Sequence, residues 1–326
     1  MDRHLGAGAT GPGPRGQSAL RLVVCGVPPS PAAAPVRAAP LALPRDASLD
    51  DAVARILSSC LDQFVANWPS FRETAAPESV HQMRVALRRL RAAVGLVRRA
   101  LARPDYENAA TRAKAIADAL GAARDWDVFR DLLEAGPRRA LGDEPSYYAL
   151  LDAVELRRAA AYKTARAVVD SPETSRFVAD LRAALDRAPA PAAISARDFA
   201  LRALDRLRKR ALKTSKGLAS RTADERHAAR IALKKARYGA EFFESLFDGG
   251  ARAYGRSLAK IQDRLGADTD MEMATRLLDE IDANGAGETV RASAFVRGWF
   301  AQAREEGAAR AGKCEKALRK LEPFWR

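Results

Sequence analysis

The sequence predicts an all-α protein, and three observations lead to that prediction. Alanine and arginine, which both favour helices, are abundant, whereas aromatic residues make up only 6% of the chain, which argues against a large sheet. Apolar residues recur at helical spacing from residue 46 onwards. Proline and glycine separate these stretches, and none shows the alternation of a strand. Integral membrane proteins are excluded, because no apolar run approaches the roughly 18 residues of a span.

Residues 1–45 are predicted to form a disordered leader outside the fold. They hold eight of the 17 prolines together with many glycines and alanines, and they show little hydrophobic periodicity. Order is expected to begin near Asp46, because the stretch 47–68 has acidic residues in its first turn and apolar residues at helical spacing. The apolar stretch 21–27 is too short for a signal peptide and is followed by two prolines.

Beyond the leader the chain is predicted to run from helix to helix. A charge-free breaker, APAPAA at 188–193, divides these helices into two groups. We therefore predict a first helical repeat at 46–190 and a second at 191–326. The expected helices span 48–67, 78–102, 106–122, 126–135, 145–170, 173–187, 196–217, 222–247, 252–265, 271–283 and 287–321.

Two motifs recur in the same order in both halves of the chain. VHQMRVALRRLRAAV at 80–94 aligns with RHAARIALKKARYGA at 226–240, at an offset of 146 residues. LGAARDWD at 120–127 aligns with LGADTDME at 265–272, at an offset of 145. Two motifs at nearly one offset predict the duplication of a whole helical unit.

Positive charge is concentrated on the repeated helices. The chain carries 55 basic against 41 acidic residues, a net charge of +14, and 44 of the basic residues are arginines. Residues 46–187 are nearly neutral, with 22 basic against 21 acidic residues, yet the stretch 79–104 has seven arginines and no acid. Residues 206–240 hold twelve basic residues against two acids. Arginine binds phosphate through two parallel hydrogen bonds. The concentration of arginines on these helices therefore favours a polyanionic partner.

A helical projection separates a basic face from an apolar face on each repeated helix. His81, Arg84, Arg88 and Arg91 fall within an arc of roughly 80°. The apolar stripe lies about 120° away and consists of Met83, Leu87, Leu90, Val94, Val97 and Leu101. In the second copy His227, Arg230, Lys234 and Arg237 share the basic arc. Like charges so close repel each other, and a linear polyanion would offset that repulsion. A solvated charged face is the alternative, which the presence of two copies disfavours.

Other chemistry finds less support in the sequence. Cys25, Cys60 and Cys314 are scattered and form no CxxC pair, which argues against a disulfide framework or a zinc site and fits a reducing cytoplasm. One histidine in each copy is too few for a metal site, so no metal and no cofactor are expected. Asp125 and Asp270 are predicted to be helix N-caps rather than catalytic acids. No catalytic residue is assigned.

These motifs resemble those of the CHAD family, the conserved histidine α-helical domain. The resemblance rests on HQMRVALRRLRAAV with ARDWDV downstream, on RHAARIALKKARYGAEFFESLF, and on the C-terminal FVRGWFAQAREEG and LRKLEPFW, and it covers about 46–326. It implies two helical bundles related by pseudo-two-fold symmetry, with a basic cleft or channel between them. It also implies binding of inorganic polyphosphate and association with polyphosphate granules. The N-terminal ExExK of a CYTH domain, which often accompanies a CHAD domain, does not occur.

The resemblance also implies which residues bind the phosphate chain. Carried over by position, they are the eight residues of the two basic arcs: His81, Arg84, Arg88, Arg91, His227, Arg230, Lys234 and Arg237. Weaker candidates are Arg89, Arg98, Lys235 and Lys260. Thr269 stands where the first copy has Arg124, so a symmetric role for Arg124 is in doubt. Phosphate beside the histidines is expected to raise their pKa and to make binding depend on pH.

The sequence therefore predicts a non-enzymatic polyphosphate-binding protein, cytoplasmic and associated with polyphosphate granules. A nucleic-acid-binding protein is disfavoured, because the basic arcs lack aromatic residues for base stacking, with Tyr238 the nearest. A metal-dependent polyphosphate hydrolase or phosphotransferase would need acidic residues converging on the basic cleft. A scaffold that meets an acidic protein is the third alternative. The sequence leaves the oligomeric state and the preferred chain length open.

Overall fold

The computed structural model describes residues 34–187, 194–283 and 287–326, and no β-strand occurs among them. They belong to one structural unit, so the prediction of an all-α protein is confirmed. None of the described helices is long and apolar enough to cross a membrane. The α-helices are α1 (Leu49–Ala66), α2 (Trp68–Thr74), α3 (Pro77–Val97), α4 (Pro104–Ala135), α5 (Pro137–Leu141), α6 (Pro145–Val169), α7 (Pro172–Leu185), α8 (Ala196–Thr214), α9 (Ala223–Phe242), α10 (Ala251–Asp282) and α11 (Val290–Arg319).

Proline and capping side chains define where the helices begin. Proline is the first residue of α3, α4, α5, α6 and α7, where its missing N–H is not needed and its fixed φ suits the helix. The starts of α1 and α8 are capped by Ser48 and Ser195, whose hydroxyls accept hydrogen bonds from the backbone of Asp51 and Asp198. Thr222 and Glu225 form a reciprocal capping box at the start of α9.

Two long helices correct the expected element boundaries. The breaks predicted within 122–126 and within 265–271 do not exist, because α4 and α10 are each continuous over 32 residues. No proline interrupts either helix after its first residue, so nothing forces the backbone out of the helix there. Asp125 and Asp270 therefore lie in the middle of helices, and their prediction as N-caps is wrong.

The apolar stripes of the basic helices form the core of the domain. Five of the six residues predicted for the α3 stripe, Met83, Leu87, Leu90, Val94 and Val97, are at most 4% exposed, whereas the sixth, Leu101, lies beyond the end of α3 and is half-buried. Helix α3 packs between α1 and α4, and α9 packs between α8 and α10. The helices α3 and α9 also contact each other. Burial of one face on each helix leaves the opposite, cationic faces to meet near that contact.

Backbone pairing joins the starts of α1 and α8. Leu49 donates a hydrogen bond to the carbonyl of Ile194 at 2.9 Å, and Ala196 donates one to the carbonyl of Ala47 at 3.0 Å. The predicted domain boundary at 190/191 lies outside the described residues, as does the whole APAPAA breaker. The division into two repeats stays a prediction.

The segment before α1 packs on the helices. Leu43 is only 5% exposed, and its backbone N–H donates to the hydroxyl of Ser245 at 2.8 Å. The backbone N–H of Val36 donates to Asn67 Oδ1 at 2.9 Å. The boundary predicted near Asp46 is therefore too late for residues 34–45, because one buried leucine and two long-range hydrogen bonds tie this segment to the fold. Residues 1–33 lie outside the described part.

Asp127 joins α4 to α6 through a buried carboxylate. Its side chain is 1% exposed and accepts hydrogen bonds from Arg158 Nε at 2.8 Å and from the Tyr162 hydroxyl at 2.8 Å. These contacts satisfy a charge that burial alone would disfavour. The carboxylate thus acts as a link between helices.

We expect Asp127→Asn to lower the free energy of unfolding by about 3 kcal/mol, because it leaves the Arg158 guanidinium without its buried counter-charge. Urea unfolding followed by circular dichroism measures the change. Asp152→Asn, at an exposed position on α6, is the matched control and should change stability by less than about 0.5 kcal/mol. Equal effects of the two substitutions would contradict the role of Asp127.

Candidate functional site

The cationic faces of α3 and α9 meet at one cavity of about 910 Å³, which we call the α3–α9 cavity. Helix α3 contributes Arg84, Arg88 and Arg91 to its lining, and α9 contributes His227, Lys234 and Lys235. Lys114 of α4 and Arg210 of α8 add two further cations. Glu107 is the one acidic residue in this lining. Residues about 146 positions apart in the sequence thus line one site.

A glycine of the neighbouring helix makes room for the first arginine of each basic arc. Arg84 lies across Gly121 of α4, where an added Cβ would be 2.9 Å from the Arg84 guanidinium. Arg230 lies across Gly266 of α10, where the corresponding distance is 3.4 Å. Small residues at these positions allow each guanidinium to lie against the next helix. The sequence contained this signal, because both glycines belong to the second repeated motif.

An aspartate accompanies each of these two arginines. Arg84 Nη1 is 3.4 Å from Asp125 Oδ1, and Arg276 Nη2 is 3.5 Å from Asp125 Oδ2. Asp270 lies close enough to Arg230 and Lys234 for both cations to lower its pKa, although burial raises that pKa overall. Asp125 raises it as well, so the two carboxylates lie near each other. This pair does not follow from the sequence, in which both aspartates are predicted to be helix N-caps.

The cations of the two helices also act on each other. Burial lowers the pKa of Arg230, and Arg88 of α3 lowers it further. Burial lowers the pKa of Lys234 to about 7, and Arg230, Arg88 and Arg84 all contribute to the shift, against Asp270. Lys234 therefore faces cations from its own helix and from α3. An unliganded site of this kind is held together against electrostatic repulsion.

The two histidines occupy different environments. His81 is half-buried beside Arg84, Arg88 and Arg124, and its pKa is lowered by burial first and by these cations second. His227 is exposed and lines the cavity. Arg124 acts on His81, whereas the second copy has Thr269 at the aligned position. His81 and His227 therefore align in sequence, but their surroundings in the structure differ.

Some of the other predicted binding residues line the cavity, and others do not. Arg98 and Lys235 are exposed and line the cavity. His81 and Arg230 do not line it but act electrostatically on residues that do. Arg237 is half-buried, with its guanidinium 5.1 Å from the centre of the Tyr238 ring, and it is not part of the lining. Lys260 is exposed on α10 and is also outside the lining.

Arg89, which was predicted to be a weaker binding candidate, is buried and has a structural role instead. It is 2% exposed, its Nη2 is 2.9 Å from Glu241 Oε1, and its Nη1 donates to Gln63 Oε1 at 2.9 Å. One residue further along a helix turns the side chain by about 100°, so Arg89 points into the interior although Arg88 lines the cavity. Arg89 joins α3 to α1 and α9.

The fold and this cavity together define a class of protein, a helical domain that presents cations from two separate helices to one cavity. Comparison with known families is consistent with that class. The family model described as the CHAD domain matches residues 55–279. The chain therefore belongs to the CHAD domain family, as the motifs predicted, and no CYTH domain is found in it.

Two solved structures show the same fold. The crystal structure of the CHAD domain from the plant Ricinus communis has 31% sequence identity and a TM-score of 0.77, and the match covers 89% of this chain and 98% of that one. PptA from Streptomyces chartreusis has 18% identity and a TM-score of 0.62, over 84% of this chain and 100% of that one. No curated protein sequence matches the chain.

We expect two adjacent arginines of α3 to differ sharply in their effect on stability. Arg89→Ala should lower the free energy of unfolding by about 3 kcal/mol, because it leaves the Glu241 carboxylate and the Oε1 atom of Gln63 without the guanidinium that contacts them. Arg88→Ala should leave stability unchanged or raise it slightly, because it removes repulsion with Arg230 and Lys234. Urea unfolding of both variants tests this. A loss of stability in Arg88→Ala as large as in Arg89→Ala would mean that the cationic face is structural.

Proposed function

We propose that the protein binds inorganic polyphosphate in the α3–α9 cavity and does not convert it chemically. The observation that carries this proposal is the meeting of Arg84 and Arg88 of α3 with Lys234 of α9 at one cavity. Cations that repel one another in the free protein gain most from a ligand with a high density of negative charge. A chain of phosphates supplies one charge after another, and arginine binds phosphate through two parallel hydrogen bonds.

The character of the cavity lining supports a phosphate chain over nucleic acid. Single-stranded nucleic acids are usually held by aromatic side chains on which bases stack. The aromatic residues of this lining are Tyr238 and Phe242, and they are 2% and 1% exposed. Their rings therefore offer no platform for a base. The resemblance to the CHAD family, which implies polyphosphate binding, supports the same choice.

The carboxylates near the cavity have a role that does not require catalysis. Asp125 is paired with Arg84 and Arg276, and Asp270 lies beside Arg230 and Lys234. In the free protein they act as internal counter-charges for these cations. We therefore propose a binding protein rather than a hydrolase.

We also propose that the protein is located in the cytoplasm at polyphosphate granules, as the resemblance to the CHAD family implies. A fluorescent fusion that stays diffuse in cells with visible granules would contradict that location.

A competition experiment tests the proposal. Fluorescence anisotropy should show that labelled polyphosphate is displaced by unlabelled polyphosphate at lower concentrations than by RNA or single-stranded DNA of equal charge. Affinity should fall steeply with added salt, because counterions are released on binding. The variant Arg88→Ala/Lys234→Ala should bind at least about tenfold more weakly, since each charge-assisted hydrogen bond contributes about 1.5–3 kcal/mol.

The matched control is Arg55→Ala/Lys163→Ala, which removes the same charges from exposed positions outside the cavity. It should bind nearly as well as the unsubstituted protein. Preference for RNA or DNA would overturn the proposal in favour of a nucleic-acid-binding protein. Release of phosphate on incubation with polyphosphate and Mg²⁺ or Mn²⁺ would identify an enzyme, and Asp125 and Asp270 would be its first candidate acids.

We also expect the amine of Lys234 to take up a proton when polyphosphate binds. In the free protein the pKa of Lys234 is about 7, so at pH 8 most of its amines are neutral. A phosphate beside the amine favours the charged form and raises this pKa. Affinity should therefore be highest below pH 7 and should fall as the pH rises from 7 towards the pKa of the bound state. Calorimetry at pH 8 in two buffers of different ionisation enthalpy measures the proton uptake.

The variant Lys234→Arg isolates this effect, because arginine stays charged throughout the range. It should bind polyphosphate with less proton uptake than the unsubstituted protein. His81→Gln tests the other titratable candidate. Burial and neighbouring cations lower the pKa of His81 from 6.5, so phosphate would have to raise this pKa past 8 before the side chain took up a proton at pH 8, and proton uptake by this variant should equal that of the unsubstituted protein. Equal proton uptake in the unsubstituted protein and in Lys234→Arg would contradict this account.

A further inference from the structure

One face of α11 is open to solvent and carries two aromatic side chains. Phe295 is 36% exposed and Trp299 is 41% exposed, and no other phenylalanine or tryptophan of the described residues is exposed. The centres of the two rings are 6.1 Å apart. Aromatic side chains are usually buried, because each removes a large apolar area from water. An exposed pair on one helix face therefore indicates a contact surface.

The fold holds the Trp299 ring in place before any partner binds. An added Cβ at Gly136, at the junction of α4 and α5, would be 2.8 Å from Trp299 Nε1, so one edge of the ring lies directly against that backbone. The rest of the ring stays exposed. A side chain that is already held loses little conformational freedom when a second surface covers it. Trp299 is therefore suited to anchor an interface.

The residues around this aromatic pair are small at the centre of the face and oppositely charged at its ends. A helical projection places all exposed residues between positions 291 and 305 within an arc of about 160°. An added Cβ at Gly298 would meet no atom within 4 Å, so the helix backbone is open to approach there. We call this set the α11 face, and it consists of Arg291, Ala294, Phe295, Gly298, Trp299, Ala301, Gln302 and Glu305.

The two charges lie at equal distances from the centre of the α11 face. Arg291 is seven residues before Gly298 and Glu305 is seven residues after it, which places each about 10.5 Å from the centre along the axis. If two such helices pack antiparallel about a two-fold axis at Gly298, Arg291 of each copy lies beside Glu305 of the other. A parallel pair would instead place like charges side by side, and these repel. The charge pattern therefore complements itself in the antiparallel orientation.

We propose that the α11 face binds a second copy of this chain, with the two α11 helices antiparallel about a two-fold axis at Gly298. The small side chains at the centre allow the helices to approach closely, and the aromatic rings of each copy cover the face of the other. A face that contacts itself forms a closed dimer and no larger assembly. The inference is independent of the proposed function, because no residue of the α11 face lines the α3–α9 cavity.

The size of the α11 face determines how tight this dimer is. The row from Arg291 to Glu305 is about 21 Å long and one helix wide. Such a contact belongs to the small end of the range of specific interfaces, where complexes form and dissociate readily. The dimer is therefore reversible and its population depends on the protein concentration.

Sedimentation equilibrium of the full-length protein tests the proposal. The measured mass should rise from that of one chain to that of two as the concentration increases. Phe295→Ala should weaken the dimer at least about tenfold, because large aromatic side chains contribute most of the energy near the centre of an interface. The matched control is Leu156→Ala, which truncates a side chain of α6 that is 72% exposed and should leave dimerisation unchanged.

Charge reversal tests the antiparallel orientation. Arg291→Glu and Glu305→Arg should each weaken the dimer about tenfold, because either variant places like charges together at both ends of the contact. An equimolar mixture of the two variants should associate as the unsubstituted protein does, because each copy then meets the opposite charge. Arg291 also contacts Glu144 of its own chain at 3.3 Å, and mixing does not restore that pair. The mixture therefore reports only the contact between copies. Circular dichroism checks that each variant is folded.

Three results would overturn the inference. A mass of one chain at every concentration would show that the α11 face does not bind a second copy. A dimer that Phe295→Ala leaves intact, or that Leu156→Ala weakens equally, would use another surface. A mixture of the two charge variants that associates no better than either variant alone would exclude the antiparallel arrangement. None of these results bears on polyphosphate binding, because the variants leave the lining of the α3–α9 cavity unchanged.

Discussion

The burial of the apolar faces of α3 and α9 forces their cationic faces to meet, and the organisation of the site depends on this constraint. Leu87 of α3 and Leu233 of α9 are fully buried, and each such leucine contributes about 1.5–3 kcal/mol to folding. Repulsion between neighbouring surface cations costs a few tenths of a kcal/mol for each pair. Hydrophobic burial is therefore strong enough to hold Arg84, Arg88 and Lys234 together without a ligand.

Asp125 and Asp270 reduce the electrostatic repulsion among these cations without removing it. Asp125 is shared between Arg84 and Arg276, and Asp270 opposes the repulsion at Arg230 and Lys234. Complete neutralisation would leave the site with no attraction for an anion. Burial is the first cause of the depressed pKa of Lys234, but Arg230, Arg88 and Arg84 lower that pKa further against the one opposing carboxylate of Asp270, so neutralisation is incomplete. A ligand with several negative charges then competes with two carboxylates for cations that the fold already holds in position, and little reorganisation is needed.

Helical periodicity was sufficient to predict the fold class and most of the cations at the cavity. Arg84, Arg88 and Lys234 follow from the angular separation of the charged and apolar faces. Arg89 could not be predicted to be structural, because its partners Gln63 and Glu241 are distant in sequence and a projection of one helix does not show them. Asp125 and Asp270 were misassigned for a related reason. Both can occupy mid-helix positions because arginines of neighbouring helices lie beside them, and a local pattern contains no information about those arginines.

Helices α1 and α8, which pack on the two basic helices, differ in charge, and this difference makes the two halves of the site unequal. Helix α1 packs on α3 as α8 packs on α9, and the first residues of α1 and α8 are paired through their backbones. Yet α1 carries one basic residue against three acidic ones, whereas α8 carries seven against two. The surplus of residues 194–326, 28 basic against 19 acidic, therefore lies to a large extent on α8. A linear anion bound in the α3–α9 cavity, as proposed, would meet Arg210 of α8, whereas the lining of that cavity includes no residue of α1. The two halves of the site are therefore not equivalent, although the motifs recur.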